Sequence, residues 1–255
     1  MLKLILSTTI GSIITYFLNF NLGGGPFIAS GLVGLISAKI FPKFSSCIYA
    51  ASFASMSSLG VLPNISLSGI CGLITGLLYI FTQKLFLGVG GKLGAIAFFS
   101  VLIVNFFRTP IYFSLTSLSL LDGLYLIFAC GLGAGLTYYI SLRFNQNSVF
   151  SSSLVVLVTA LIGNIFLKFD HKLVAAVTCG TYAGMSSPKI ITNIKKMCLV
   201  GLLSGIILFL TWPFFYGVGG KLGLVAFLAV FLSKIGQDIL NTTRYQINKQ
   251  AVSSE

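Results

Sequence analysis

Gly88-Val89-Gly90-Gly91-Lys92-Leu93-Gly94 recurs letter for letter as Gly217-Val218-Gly219-Gly220-Lys221-Leu222-Gly223. The likeness runs on through Ala97-Phe98 and Ala226-Phe227 and is broken only at positions 95 and 96 of the first copy. Upstream, at the same offset, Ala54-Ser55-Met56-Ser57-Ser58 matches Ala183-Gly184-Met185-Ser186-Ser187, and Gly72 and Gly76 fall on Gly201 and Gly205. Weaker echoes pair Gly11, Thr15 and Tyr16 with Gly133, Thr137 and Tyr138, and Ile40-Phe41 with Ile165-Phe166; they need a few extra residues in the second copy. Chance can produce the weak echoes but hardly the long identity. The chain therefore reads as one unit used twice.

Composition says where such a unit sits. Of 255 residues, 56% are hydrophobic and 8% charged, and the mean hydropathy is +1.01. A soluble domain carries about a quarter charged residues to cover its surface, which this chain cannot do. Its apolar runs must face lipid, so the reading is an all-α, polytopic integral membrane protein. A water-soluble enzyme, a nucleic-acid binder and a secreted disulfide scaffold are excluded at this step. Cys47, Cys71, Cys130, Cys179 and Cys198 form no CxxC pair and lie mostly in apolar stretches, as small hydrophobes do, so no metal site or cofactor is expected. Lys3 before an apolar run resembles a signal peptide, but no small-residue cleavage site follows and the segment has a later counterpart, so it is kept as a span.

Apolar stretches long enough to be helical spans fall at 2–19, 27–41, 46–62, 67–86 and 93–107, and again at 124–142, 149–167, 173–187, 197–215 and 222–235. This predicts about ten transmembrane helices, five per repeat, with the third of each repeat short or broken. The organisation expected is a first transmembrane repeat over 1–108, a connector at 109–121, a second repeat over 122–240 and a cytoplasmic tail at 241–255. Five is odd, so the second copy must enter the bilayer upside down. With both termini inside, Lys3, Lys39, Lys43, Lys84, Lys92, Arg143, Lys189, Lys195, Lys196, Lys234, Arg244 and Lys249 fall at cytoplasmic ends, and Arg108, Lys168, Lys172 and Lys221 outside. That bias obeys the positive-inside rule and suits a cell inner (plasma) membrane. It also accounts for the net charge of +12 without a polyanion partner.

Inverted repeats place binding sites near the midplane, at the interface between the two halves. Two constellations there can carry chemistry. The third spans are rich in hydroxyls, and Ser52, Ser55, Ser57, Thr181, Ser186 and Ser187 either line a substrate path or form a helix-packing seam. In the repeated heptad, glycines before a helix leave backbone N–H groups open to an anion, and a lysine adds charge. Gly90, Gly91 and Lys92 at one mouth, with Gly219, Gly220 and Lys221 at the other, are candidate anion contacts. The bland alternative is a tight turn with a snorkelling lysine. The spacing is not that of a Walker A loop, and Leu follows each Lys.

What is missing narrows the function. The carboxylates are Asp122, Asp170, Asp238 and Glu255, all at span ends or in loops. Proton- and sodium-coupled carriers commonly hold an acid within the membrane, and divalent cations want several hard oxygens. A neutral solute, a small anion or a lipid-like molecule remains. Enzyme chemistry has little support: the single His171 sits in a polar loop, and Ser186-Ser187-Pro188-Lys189 fits S-x-x-K while its counterpart Ser58-Leu59-Gly60-Val61 lacks the lysine. Trp212 and Tyr216 read as interfacial anchors. The expectation is a channel-like permease for a small solute, an anion among the candidates, with the bilayer as partner, no nucleic acid and oligomeric state open. The alternatives are a non-transporting scaffold and a lipid-handling protein.

Overall fold

The computed structural model describes residues 1–106, 118–163 and 171–253, with side chains through residue 243. Arg108, Lys168, Asp170, Glu255, Ile165-Phe166 and positions 109–117 of the expected connector lie outside the described residues. The described chain is all-α, with ten helices: α1 (Leu2–Tyr16), prolonged by a π turn (Phe17–Asn21), α2 (Pro26–Ile40), α3 (Ser45–Ala54), α4 (Ile65–Thr82), α5 (Lys92–Asn105), α6 (Leu120–Arg143), α7 (Ser148–Ile162), α8 (His171–Gly184), α9 (Ile194–Thr211) and α10 (Lys221–Ser253). Five stretches are long and apolar enough to cross a membrane: α1 with its π turn, α4, α6, α9 and the first part of α10.

Local chemistry sets several of the starts. Asn64 before α4 accepts from the Leu67 N–H, and Asn193 at the equivalent position before α9 accepts from the Lys196 N–H, both at 2.9 Å. Each removes one of the four orphan donors at a helix start. Pro26 opens α2, where its missing N–H costs nothing. Ser119 and Asp122 form a reciprocal capping box at α6. That box starts the helix at Leu120, inside the expected connector. At the other end α10 continues without a break to Ser253, so positions 241–253 of the expected tail prolong the last helix.

The third span of the first copy, expected to be short or broken, is the shortest described α-helix. Ten residues of α3 reach about 15 Å, half of an apolar core about 30 Å thick. After Ala54 the chain tightens, with the Met56 and Ser57 N–H groups bonding back to the Phe53 and Ala54 carbonyls, and then joins a glycine loop. The Ser58 N–H donates to the Gly217 carbonyl at 2.8 Å, and the Gly219 N–H donates to Ser57 Oγ at 2.9 Å. The other loop repeats this at α8: the Ser187 N–H donates to the Gly88 carbonyl at 2.8 Å, and the Gly90 N–H to Ser186 Oγ at 3.1 Å.

Packing follows the same pairing. Helix α1 lies against α4 and α3, as α6 lies against α9 and α8; α3 meets α5 as α8 meets α10; α2 packs on α7, and α5 on α10. Where α5 crosses α10, Gly94 faces Gly223 so closely that a Cβ on either would overlap the other's Cα. Gly91 and Gly220 precede these helices at φ 78° and 82°, a left-handed conformation that L side chains rarely adopt. The outer faces are apolar, with Leu6, Ile10, Phe99, Ile103, Leu132 and Leu210 at least half exposed. Hydroxyls are turned inward instead, among them Ser12, Ser55 and Ser68, whose Oγ atoms lie 2.7 to 3.1 Å apart.

Gly94→Ala and Gly223→Ala each force backbone apart at the crossing. Overpacking of this kind costs about 1–3 kcal/mol, so both should lower the unfolding midpoint in detergent. Gly236→Ala, with nothing within 4 Å of the added methyl, should leave it unchanged or raise it.

Candidate functional site

Two cavities flank the place where the ends of α3 and α8 meet. The larger, about 830 Å³, is bounded by Asn19 at the end of the π turn, Ser57 and Ser58 after α3, His171 and Lys172 at the start of α8, and Lys221. The smaller, about 250 Å³, is bounded by Ser46 at the start of α3, Met185 after α8, Gln83 and Lys92. They therefore contact opposite ends of both short helices. Each lining includes exposed residues, Tyr216 and Ser58 in one and Leu87 and Gln83 in the other, so each opens to the surface. No Asp or Glu lines either cavity among the described residues.

The repeated heptad gives each cavity one lysine, and the two ammonium groups are held differently. Lys92 Nζ donates to the Thr82 carbonyl at 2.6 Å and the Leu85 carbonyl at 2.7 Å, with the Gln83 carbonyl at 3.5 Å. It closes off the orphan carbonyls at the end of α4, where the helix dipole is negative. Lys221 Nζ donates to the Trp212 carbonyl at 2.8 Å and lies 5.8 Å from the centre of the Trp212 ring. An ammonium has three donors. One carbonyl bond leaves Lys221 with two to offer the larger cavity, whereas Lys92 is almost fully used. Lys172 adds a second cation to the larger cavity, with its ammonium 3.7 Å from Asp122.

The structure distributes the expected hydroxyls among three environments. Ser57 lines the larger cavity while accepting from Gly219 and donating to the Ala54 carbonyl at 2.7 Å. Ser186 is its equivalent, bonded to Gly90 and to the Ala183 carbonyl, and Ser187 Oγ accepts from the Lys189 N–H at 3.3 Å. The remaining hydroxyls bridge helices: Ser52 to Ser30 at 2.8 Å, Thr181 to Ser152 at 3.1 Å, and Ser55 to Ser12 and Ser68. Gly90 and Gly91 line the smaller cavity, and Gly219 and Gly220 the larger. Among the described residues no three His, Cys, Asp or Glu gather where a metal could be held.

Several lining residues carry no flag in the sequence reading. Asn19, buried in the π turn, donates to the Ser55 carbonyl at 3.3 Å. Trp212, read from the sequence only as an interfacial anchor, supplies a carbonyl to Lys221 as well as an aromatic face. Phe53 and Tyr182, both almost fully buried, stand between the cavities. The repeat alignment does contain a signal for this last pair, since both immediately precede the alanine that opens the second anchor.

Removing the acceptor that each loop rests on should loosen that loop alone. In Ser57→Ala the buried Gly219 N–H loses its partner, a defect of about 1–3 kcal/mol. Amide exchange should quicken over 217–220 and stay slow over 88–91, with the reverse in Ser186→Ala. No protein-family model, curated protein or solved structure matches this chain.

Proposed function

We propose that the chain is a multi-pass permease of an inner (plasma) membrane, passing a small monovalent anion between its two copies. The observation that carries the proposal is the pair of surface-open cavities at opposite ends of α3 and α8, one lined by Lys172 and Lys221 and the other by Lys92, with no carboxylate among the described lining residues. A cation-bearing, acid-free vestibule concentrates anions and repels cations. Hydroxyl and backbone donors replace part of an anion's hydration shell, and no described residue of either lining offers the hard anionic oxygens that a divalent cation needs.

The two copies, 1–108 and 122–240, lie in the bilayer in opposite orientations, joined through 109–121, with both termini cytoplasmic. The charge bias of the sequence supports this orientation. So do the reciprocal bonds between each glycine loop and the opposite short helix. The larger cavity then faces outward and the smaller one inward. Lys221 and Lys172 form the outer anion contact, with the donors that Lys221 does not spend on Trp212 turned to the solute. Lys92 serves mainly to close the end of α4. The chain performs no covalent chemistry in this reading.

A second reading, a non-transporting scaffold, draws support from the Ser12–Ser55–Ser68 cluster and from the Ser30–Ser52 and Ser152–Thr181 pairs, whose hydroxyls bond across helix interfaces. A lipid-handling protein is a third. Flux in proteoliposomes under gradients of chloride, nitrate, formate, bicarbonate and urea tests all three. Anion flux is expected, falling at least tenfold in Lys221→Gln and by much less in Lys92→Gln. Urea flux that ignores both substitutions would replace the anion by a neutral solute. No flux of any kind would favour the scaffold.

A further inference from the structure

Within the permease reading, on which this inference rests, the geometry points to Phe53 and Tyr182 as the gate of the path. Among the described residues these two alone line both cavities. They are 1% and 2% exposed, and the two cavities lie to either side of them. Their ring centres are 4.3 Å apart with the planes tilted by 40°. The barrier between two open vestibules is therefore one aromatic pair thick.

The pair rests on a fixed backing. Tyr49 lies edge-on to both rings, 4.3 Å from Phe53 and 6.2 Å from Tyr182. It is fully buried, its ring fills the space where Gly34 has no side chain, and its hydroxyl meets Ser152 Oγ at 3.2 Å. Tyr49 is wedged in place. Phe53 and Tyr182 instead each border both cavities, the spaces into which a turning ring would move. The Tyr182 hydroxyl is held by the Met56 sulfur at 3.8 Å, and a thioether is a weak acceptor. The contact between the two rings, their edge contacts with Tyr49 and the Tyr182–Met56 bond hold the gate shut.

The same geometry bears on which solute passes. The rim of an aromatic ring carries partial positive charge and its face partial negative charge. A solute slipping between two tilted rings meets rims and the Tyr182 hydroxyl, an arrangement that favours a small, partly dehydrated anion over a cation. The copies differ here by one atom group, the hydroxyl that Tyr182 has and Phe53 lacks, so the two sides of the gate are chemically unequal.

Two measurements on the full chain in proteoliposomes test this. The first reads sidedness and does not depend on transport by the parent protein. With Cys198 replaced by alanine, Ser58→Cys and Met185→Cys report on the larger and smaller cavities, and a small anionic methanethiosulfonate is applied from one face at a time. Each thiol should be modified from one face only, and from both once Phe53→Ala/Tyr182→Ala is added. The second is chloride and nitrate flux, expected to rise at least tenfold in the double alanine variant and to fall at least threefold in Phe53→Trp, which thickens the barrier. Phe53→Leu/Tyr182→Leu, which keeps most of the packing, substitutes for the alanine pair if that variant does not fold. Labelling that stays one-sided in a folded variant overturns the gate, whatever the flux. Two-sided labelling with no flux in any variant keeps the barrier assignment and sinks the permease reading instead.

Discussion

Gly94 and Gly223 meet where α5 crosses α10, and nothing larger than hydrogen fits between them. Because the approach is backbone to backbone, it sets the register of both helices with little latitude. Gly91 and Gly220 are pressed against the backbone of the opposite helix near Phe227 and Phe98. The loops they end are then delivered to the tips of the two short helices, where Gly90 bonds Ser186 and Gly219 bonds Ser57. Beyond the end of α3, Ser57 and Ser58 are tied to that loop. The two cavities exist because the short helices stop short. Each step follows from the one before, beginning with the absence of two side chains.

Inside an apolar exterior, polar groups need internal partners, since lipid offers none. The hydroxyls meet this demand in two ways, some bonding to a carbonyl of their own helix and others bridging to a neighbour. Inter-helix bonds of the second kind contribute on average only about 0.6 kcal/mol each in membrane proteins. Their main effect is to orient helices that lipid would otherwise let slide. The lysines obey the same rule, each placed at the carbonyl end of a preceding helix. The identical heptads nevertheless leave their ammonium groups in different states. The stretch between anchors has diverged: Trp212 and Pro213 stand where the first copy has Gln83 and Lys84. Lys92 finds a cluster of carbonyls there and Lys221 a single carbonyl beside an aromatic face. Two identical sequence motifs thus hold their lysines differently because of residues outside the motif.

The residues themselves, read in order, determined the recurring heptad and the apolar helical class, because each depends on neighbours in sequence or on composition. They also marked the two glycine loops and the serine-rich ends of the third spans. They could not reveal that these two features are partners. The bond from Gly219 to Ser57 joins residues 162 positions apart, and no local pattern announces a contact at that range. For the same reason the early end of α3, the division of the hydroxyls between cavity wall and helix seam, and the barrier formed by Phe53 and Tyr182 were decided only by tertiary structure. A buried aromatic in an apolar helix looks alike in sequence whether it packs against a neighbour or divides two cavities; what differs is the space left around it, and that is set by how the helices meet.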